Sequence, residues 1–489
     1  MTEVIKIIDN IYSPQYDLLS FVENKIDFSP SILNSTESRP NSISFEGAGF
    51  GDEGKGLTAL RAISEYYNKH KKTVVYRWNG GSNAGHECLL PSGEQIALHQ
   101  LPIGILQEGV TSIVGKGMVF NPTDAVTEID YIVDIVGSVP GNFMIDPNIP
   151  LSLDTHRAWE NVINSWHLGY YGSTGRGIST SYSDEILRLK LTMSDLISAE
   201  WKGKLGYHYD ITKKQTGSFG FKLEDIKVAT LKDPVKGIKV GSKKDFLDRV
   251  GECRKILLKY VNKSLDEYLY KEWNSETPFV FEGAQAIGLH PKHGLYPDVT
   301  SSEVRARGIQ DSTEGIVDYK KIAAKVGVLK GPYISSVGSR TLPGEFDIRT
   351  EIQVRNVFGE YGKSTGRSRG ILPPDIPALK HFRNVGDFEY LAVTHMDASF
   401  PSIPIVAGYK DSNKNNVRYR PYQWYLDFVH PEIISLPGWD GNTARKAKNA
   451  NELPENALRF LAFISEVLNV KLAYASTGPS LQDYISWVK

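Results

Sequence analysis

The sequence predicts an α/β protein built on a central, mostly parallel, twisted sheet. One observation is a short apolar strand, Ile43–Phe45, that runs into a glycine-rich turn and then into a helix predicted over 57–67. Another is a second apolar run, 73–78, directly after that helix. Strand, glycine loop, helix and strand in this order are typical of a βαβ unit. Later apolar runs, each followed by a Gly-rich or polar segment, predict buried strands at 112–114, 279–281, 325–329, 390–394 and 472–475.

The chain divides into an N-terminal extension with a linker, residues 1–41, and a main body, residues 42–489. Apolar residues at helical spacing predict helix in the extension, and a Ser-, Pro- and Asn-rich stretch before residue 42 predicts the linker. Either packing on the body or a partner-binding arm suits this extension. Residues 200–275 are Lys-rich with weaker patterning, which predicts an insertion or a helical subdomain.

Composition limits the function classes. The 489 residues include 56 Lys and Arg and 57 Asp and Glu, so the formal net charge is −1, which argues against a general nucleic-acid binder. Hydrophobic residues make up 40%, enough for a sizeable core. The only cysteines, Cys88 and Cys253, suit a reducing compartment. No run approaches the roughly 18 apolar residues of a membrane span, so we expect a cytoplasmic protein without a membrane partner.

The glycine-rich turn carries the sharpest local signal. Gly49–Lys55 fits G-x-x-x-x-G-K, whose glycines let backbone N–H groups approach phosphate oxygens at a helix N-terminus. This predicts a fold like that of phosphate-loop NTPases. However, Gly56 stands where a Ser or Thr would ligate Mg²⁺, and two acids, Asp52 and Glu53, lie inside the loop. An acid at this place indicates chemistry or metal binding.

A second loop of small residues follows the next predicted strand. Asn79–His86 reads NGGSNAGH, with one histidine among glycines. An isolated histidine is most often structural, but one in a tight loop after a buried strand favours a function. Asp52 and His86 could act as base and acid.

Seven motifs then follow one another along the chain, and together they resemble the adenylosuccinate synthetase family from about Ser42 to the C-terminus. GDEGKG and GGSNAGH are the most specific of them. The motifs are GDEGKG (51–56), GGSNAGH (80–86), GSTGRGIS (172–179), EGAQ with HGLYPDVTSS (282–302), VGSRTLPGEF (337–346), STGRSRG (364–370) and STGP (476–479). Since they span almost the whole body, the resemblance implies one large catalytic domain over 42–489 rather than the three that length alone allows.

That family uses GTP to phosphorylate the 6-oxygen of IMP and then joins L-aspartate to C6, in purine nucleotide biosynthesis. The resemblance implies this activity, Mg²⁺ as cofactor and a homodimer. It implies Asp52 as base, His86 as acid and Lys55 on the phosphates. The implied triphosphate site comprises Gly51, Glu53, Gly54, Lys55, Gly56, Gly85, His86, Asp397, Ser476 and Gly478. The implied purine monophosphate site comprises Asp52, Asn83, Thr174, Arg188, Gln285, Thr300 and Arg367. The implied aspartate site comprises Val337, Thr365, Arg367 and Arg369, and the implied Mg²⁺ ligands are Asp52 and the Gly85 carbonyl.

The role expected of Arg188 depends on the resemblance alone. On its own it would be a solvated helix charge. By resemblance it reaches the phosphate held by the neighbouring subunit. Likewise, Arg367 and Arg369 alone would be a basic turn, but by resemblance their guanidinium groups fork onto the dicarboxylate of aspartate.

Departures from the family pattern cluster around the predicted ligands. His395 replaces the lysine of T-K-L-D, although its aspartate, which accepts from guanine N1 and N2, remains as Asp397. After STGP, Ser480 and Leu481 replace an acid–arginine pair. GTP is therefore the first choice of triphosphate, with ATP as the alternative. Further differences lie at Lys116, Ile103 and Asn79.

Two other readings stay open beside IMP. A phage branch of the family that serves 2-aminoadenine acts on dGMP with ATP, and in many of its members a small residue replaces the loop aspartate. Asp52 is retained here, which favours IMP. A catalytically silent relative is disfavoured because Asp52, Lys55, His86, Arg367 and Arg369 are all present. A generic phosphate-loop NTPase would not explain STGRSRG.

Overall fold

The computed structural model describes residues 38–89, 95–166, 173–338, 340–362 and 368–488. The predicted extension up to residue 37 lies outside the described residues, and so do Thr365 and Arg367 of the predicted aspartate site. Within the described ranges the α/β prediction is confirmed. A large, mostly parallel sheet carries helices on both of its faces.

Each predicted strand coincides with an observed one. The described strands, in chain order, are β1 Arg39–Gly47, β2 Thr73–Arg77, β3 His86–Leu89, β4 Gln95–Leu98, β5 Val110–Val114, β6 Asn142–Ile145, β7 Lys227–Val228, β8 Ile238–Lys239, β9 Phe279–Glu282, β10 Ile322–Lys330, β11 Ile334–Ser336, β12 Gly370–Leu372, β13 Tyr390–Thr394, β14 Ser402–Lys410, β15 Asn416–Val417, β16 His430–Pro437, β17 Lys471–Ser476 and β18 Tyr484–Ser486.

The described helices include the one predicted after the glycine-rich turn. In chain order they are α1 Lys55–His70, α2 Pro122–Val136, α3 Asp154–Trp166, α4 Ile178–Leu187, α5 Met193–Ile197, α6 Trp201–Ser218, α7 Lys243–Leu257, α8 Leu265–Trp273, α9 Arg307–Ser312, α10 Ile348–Phe358, α11 Ile376–Gly386, α12 Gln423–Leu426, α13 Gly441–Lys446 and α14 Glu455–Leu468. Short 3₁₀ turns occur between some of them.

The central sheet has nine strands in the order β18, β17, β13, β10, β1, β9, β2, β5, β6. Every pairing in it is parallel except that of β17 with β18. The first strand of the described residues, β1, therefore lies in the middle of the sheet, between β10 and β9. This order brings residues far apart in sequence to neighbouring strand ends, which is where such folds bind ligands.

Alternate residues of the central strands enter different cores because both faces are covered. Val75 and Val280 pack with α1 and α2 on one face, whereas Val74 and Phe281 pack with α8 and α9 on the other. This explains why the strands read as continuous apolar runs rather than as alternating ones. A third cluster joins β13 and β14 to α11 and α14.

The body starts slightly earlier than the predicted boundary. β1 begins at Arg39, whose guanidinium lies 4.4 Å over the ring of Trp273 and donates to the Trp273 carbonyl at 2.7 Å. The last three residues of the predicted linker thus belong to the central sheet. The division of the chain into extension and catalytic domain otherwise stays a prediction.

The Lys-rich region 200–275 forms α6, α7 and α8 with the small hairpin of β7 and β8. Its apolar residues Leu205, Tyr209 and Phe246 are part of the same core as the sheet face under α1. It is therefore integral to the body, as a helical layer. Among the described residues, no helix combines the length and the apolar character that crossing a bilayer requires.

Candidate active site

Four of the seven predicted motifs lie at the carboxyl ends of central strands. The glycine loop follows β1, the second loop follows β2, EGAQ ends β9, and STGP follows β17. His395 to Asp397 follow β13 in the same way. Because these strands are parallel neighbours, the loops share one edge of the sheet.

The glycine loop closes onto itself through Glu53. Its buried carboxylate accepts from the Gly51 N–H at 2.7 Å and from the Lys55 ammonium at 2.6 Å. Gly51 and Gly54 have φ values of 98° and 85°, and Gly54 is the N-cap of α1. The Glu53 carboxylate thus braces the loop. The triphosphate contact expected of Glu53 stays a prediction.

Asp52 lies at the tip of the loop and faces solvent. Its φ is 65°, a left-handed conformation, and its side chain is 41% exposed. One carboxylate oxygen accepts from Nε of Arg369 at 3.2 Å. Desolvation alone would raise the pKa of Asp52, but the charges of Lys330, Arg369 and Lys55 outweigh it and lower that pKa. The carboxylate is thus ionised.

His86, in contrast, is buried and fixed. Its Nδ1 forms a hydrogen bond to Oε1 of Glu282, whose Oε2 accepts from the Ile103 N–H at 2.9 Å. Desolvation raises the pKa of Glu282, but the contact with His86 outweighs it and lowers that pKa, so the group is a carboxylate. A carboxylate only accepts, which places the proton on Nδ1 and turns Nε2 away from Glu282. Desolvation lowers the pKa of His86 more than Glu282 raises it, so the imidazole is neutral.

Gly56 shows how the two loops touch. A Cβ added at this position would lie 2.7 Å from Cβ of His86, closer than side-chain carbons approach one another. The Ser or Thr that a phosphate loop usually carries here is therefore incompatible with the position of His86. Glycine is required at this position because His86 packs directly against the start of α1.

Part of the predicted purine monophosphate site assembles in the structure. Gln285, at φ 60°, donates to Oδ1 of Asn83 at 3.2 Å and accepts from Oγ of Ser302 at 3.1 Å. Thr300 lies two residues before Ser302, and its N–H donates to the Leu289 carbonyl at 2.7 Å. Asn83 and Gln285 thus come together from two separate motifs, and Thr300 lies close in sequence to their partner Ser302.

Thr174 and Arg188 flank one helix instead. Thr174 precedes α4, and Arg188 is the exposed C-cap of α4, at φ 61°. Among the described residues, no hydrogen bond joins either of them to the Asn83 group. Ile186 and Leu187, next to Arg188, are 83% and 57% exposed, so this end of α4 presents apolar surface beside a cation.

The predicted aspartate site is described in part. The Val337 side chain lies beside Gly51, and the Val337 N–H donates to the Phe50 carbonyl at 3.4 Å. Arg369 is held by its backbone, since its N–H donates to Glu360 and its carbonyl accepts from Nε of Arg355 at 2.8 Å. Both residues therefore adjoin the glycine loop.

The predicted base pocket of the triphosphate lies between β13 and β17. The Met396 N–H donates to the Ser476 carbonyl at 3.0 Å, and Thr394 donates to the Glu53 carbonyl at 2.9 Å. Ser476 Oγ donates to the Gly478 carbonyl at 3.1 Å. Asp397 accepts from Nη2 of Arg445 at 2.8 Å. Asp397, Ser476 and Gly478 are thus grouped, with Arg445 as an unpredicted member.

Sequence reasoning missed three charged groups of this edge. Glu282 stands in EGAQ at the end of β9, and an acid at the end of a buried strand is a signal that could have been followed. Lys330 ends β10 in a buried ion pair with Glu360, whose carboxylate also accepts from the Tyr333 hydroxyl at 2.6 Å. Nothing local in the sequence around Arg445 points to Asp397.

The implied Mg²⁺ ligands fit a hard cation. Asp52 offers carboxylate oxygens at an exposed position. Gly85 is exposed, and a Cβ added to it would meet no neighbouring atom within 4 Å, so there is room for a ligand beside this residue. Oxygen donors of this kind suit Mg²⁺.

A separate cluster, His156, Asp184 and His208 of α3, α4 and α6, has ligand atoms within 4.8 Å of one another. Nε2 of both histidines contacts the same Asp184 oxygen, at 3.0 and 2.9 Å. However, Nδ1 of His156 accepts from the Leu153 N–H at 2.9 Å, so the proton of the neutral ring is on Nε2. Desolvation, then the charge of His208, lowers the pKa of His156 to about 4. The cluster is a hydrogen-bonded clamp between helices, and its Nε2–H excludes a metal at that atom.

Comparisons with known proteins agree with this geometry. The family model for adenylosuccinate synthetase matches residues 45–485. Adenylosuccinate synthetases of Leuconostoc mesenteroides and Thermodesulfovibrio yellowstonii are 31% and 30% identical to the chain; the matches cover 88% and 90% of this chain and 95% and 97% of theirs.

Two solved structures share the fold. Fully ligated adenylosuccinate synthetase from Plasmodium falciparum superimposes with a TM-score of 0.80 at 23% identity, over 91% of this chain and 99% of that one. The succinoaminodeoxyadenylate synthetase PurZ of cyanophage S-2L, bound to dGMP and to dATP as an energy donor, gives 0.55 at 15% identity, over 91% and 95%. The chain belongs to the adenylosuccinate synthetase family and is a C–N ligase of purine nucleotide biosynthesis.

Proposed function

We propose that the chain joins L-aspartate to C6 of IMP, with GTP as phosphoryl donor and a 6-phosphoryl intermediate, in the cytoplasm. The observation that carries the proposal is the contact of two loops at Gly56, which sets an ionised carboxylate, Asp52, and an oriented imidazole, His86, at one edge of the sheet. Both groups lie close to the N-terminus of α1, which begins at Lys55, and helix N-termini favour phosphates.

Asp52 acts as the base in the first step. Its lowered pKa keeps it ionised, so it accepts the N1 proton of the purine while the electron pair moves onto the 6-oxygen. That oxygen attacks the γ-phosphorus, and the nucleoside diphosphate leaves. In the second step the amine of aspartate attacks C6, and the phosphate leaves with the 6-oxygen.

His86 stabilises the transferred phosphoryl group. Its Nδ1–H is anchored on Glu282, so its Nε2 is directed to the opposite side of the ring. The negative charge of a bound triphosphate, together with Glu282, favours the imidazolium form, in which Nε2 donates a proton or a hydrogen bond. The neutral ring of the free protein thus takes up a proton on binding.

Lys55 and the loop amides hold the phosphates. The Lys55 ammonium is fixed by Glu53, so it loses little side-chain freedom when a phosphate arrives. Mg²⁺ would be held by Asp52 and the Gly85 carbonyl, and when bound it neutralises charge between the phosphates.

The remaining substrate groups are assigned to the other loops. Asn83 and Gln285, which can each donate and accept, take the base and phosphate, while Thr174 and Thr300 take phosphate and ribose. Val337, Thr365, Arg367 and Arg369 take the aspartate, with the guanidinium groups on its carboxylates.

Arg188 serves the site of a second subunit in a homodimer. Support comes from its exposure at the end of α4 beside the exposed Ile186 and Leu187. Arg188→Ala and Asp52→Ala should each be inactive alone. Mixed after dissociation, they should regain activity, because a hybrid dimer contains one site with neither defect. Absence of recovery, with hybrid dimers demonstrated by native mass spectrometry, would count against the shared site.

A product assay tests the whole proposal. The purified chain is incubated with Mg²⁺, L-aspartate, GTP or ATP, and IMP or dGMP, and the succino-nucleotide is sought by mass. We expect adenylosuccinate from IMP. Product from dGMP alone would replace IMP as the substrate, and no product from any combination would sink the ligase proposal.

A further inference from the structure

Arg445 forms an ion pair with Asp397, the carboxylate that would bind the base of the triphosphate. Its Nη2 donates to Oδ2 of Asp397 at 2.8 Å, with the two side chains 53% and 21% exposed. Asp397 lies between the loops after β13 and β17 and next to the glycine loop, through the Met396 and Thr394 hydrogen bonds. The pair therefore lies at the same edge of the sheet as the glycine loop that carries Lys55.

Arg445 is held there by close packing of its helix. A Cβ at Gly441, the first residue of α13, would lie 2.0 Å from the Asp397 carbonyl oxygen, and the Gly441 N–H donates to Ser399 at 2.7 Å. The Asp440 side chain caps α13 on the N–H groups of Asn442 and Thr443. With its helix seated on the Asp397 backbone, Arg445 has a short reach to the carboxylate.

Guanine and adenine make different demands on this pair. Guanine offers two adjacent donors, N1–H and N2–H, which need both oxygens of a carboxylate. One of these oxygens already accepts from a guanidinium, so a guanine donor would have to share it, and the positive charge of the guanidinium also opposes those donors. Adenine offers an acceptor, N1, beside a donor, N6–H. A guanidinium N–H and the free Asp397 oxygen supply the matching donor and acceptor.

His395, close to the pair in sequence, does not compete with Arg445 for Asp397. Desolvation, then the charge of Lys330, lowers its pKa to about 3, so it is neutral and offers no second cation to attract Asp397 away from Arg445. Its ring contacts Tyr333 edge-on at 5.7 Å rather than Asp397.

We propose that Arg445 is a specificity-determining residue that weakens guanine recognition, so that ATP serves as phosphoryl donor alongside GTP. The proposal rests on the proposed function, in which Asp397 faces the base of the triphosphate. Because the pair is partly exposed, its effect on selectivity is about two- to fivefold.

The test compares GTP with ATP in the wild type, in Arg445→Ala and in Lys446→Ala, an exposed neighbour on α13 as control. kcat/KM is measured for each donor at saturating IMP, aspartate and Mg²⁺. We expect the wild type to use both donors within roughly tenfold of each other. Arg445→Ala should raise the GTP-to-ATP ratio about two- to fivefold, while Lys446→Ala leaves it unchanged.

Binding of GDP and ADP, measured by calorimetry on the same proteins, separates the two proposals. A shift of the GDP-to-ADP affinity ratio in Arg445→Ala without any turnover would keep Arg445 as a selectivity residue and defeat the ligase assignment. An unchanged or lowered ratio in that variant, or a wild type that binds GDP more than about 100-fold more tightly than ADP, would overturn the role of Arg445.

Discussion

The two catalytic side chains of the proposed mechanism are supported in opposite ways. His86 is 4% exposed and bonded to Glu282, itself tied to the backbone at Ile103. Asp52 is 41% exposed, on a loop residue of positive φ, and its partner is Arg369, a side chain assigned to a substrate. The fold alone orients the proposed acid, whereas the surroundings of the proposed base would change on binding of aspartate to Arg369. Preorganisation is thus uneven within one site.

Electrostatic interactions should follow the same division. Around His86 the low local dielectric makes the charge of Glu282 effective, and its loss leaves a buried group without a partner. Around Asp52 water screens each single charge, so its pKa is lowered by several cations together rather than by one. Substitutions near His86 should therefore lower both stability and activity, whereas substitutions near Asp52 should mainly change activity.

The largest effect is expected from Asp52→Asn. The amide cannot accept the N1 proton, so kcat should fall about 10²- to 10⁴-fold. Because the side chain is exposed and the loop is braced by Glu53, the melting temperature should stay close to that of the wild type. Steady-state kinetics and thermal denaturation check both statements. A large drop in melting temperature would mean that the base is structurally integrated after all.

Glu282→Gln should act on both activity and stability. The amide can accept from His86 Nδ1, but its NH₂ then meets the Ile103 N–H, donor against donor. We expect kcat to fall roughly 10- to 100-fold, as for other groups that orient a catalytic histidine, with a lower melting temperature. Glu389→Gln, an exposed carboxylate next to Lys325, is the control. Full activity in Glu282→Gln would contradict the orienting role.

Arg369→Gln should move the pH profile of kcat. Activity requires ionised Asp52, and Arg369 helps to lower the pKa of that carboxyl. Without Arg369 that pKa rises, so the acid limb should shift to higher pH, while the KM for aspartate also rises. Arg349→Gln, an exposed arginine of α10, should leave the limb in place. An unmoved acid limb in Arg369→Gln would remove Arg369 from the surroundings of the base.

The smallest effect is expected in hydrogen exchange on ligand binding, where the backbone near Arg369 should change and the backbone near Glu282 should not. Hydrogen exchange followed by mass spectrometry, with and without IMP, aspartate and a non-hydrolysable GTP analogue, should show added protection at 368–372. It should show no change at 279–283, where β9 is already buried. Equal protection of both segments would mean that the site is assembled as a whole.

Local signals in the sequence predicted the elements that local physics determines. The apolar runs of β1, β9, β10, β13 and β17 are continuous because both sheet faces are covered, and the glycine loop is continuous in sequence. The pairs that tune the site are not local. His86 meets Glu282 across 196 residues, Asp52 meets Arg369 across 317, and Asp397 meets Arg445 across 48. Motif resemblance predicted both Asp52 and Arg369 as site residues, although not their contact. For the other two pairs it predicted only His86 and Asp397, because the positions of their partners depend on strand order and on the packing of α13.

The central place of β1 has a consequence for how the protein is made. This strand leaves the ribosome first among those of the sheet, yet its two neighbours, β9 and β10, begin only at Phe279 and Ile322. Until then its apolar residues and both hydrogen-bonding edges await partners, which exposes the nascent chain to aggregation. Contacts of such long sequence separation also slow folding. A chain interrupted before about residue 330 would lack a neighbour of β1, so synthesis should yield either nearly the whole protein or a substrate for chaperones.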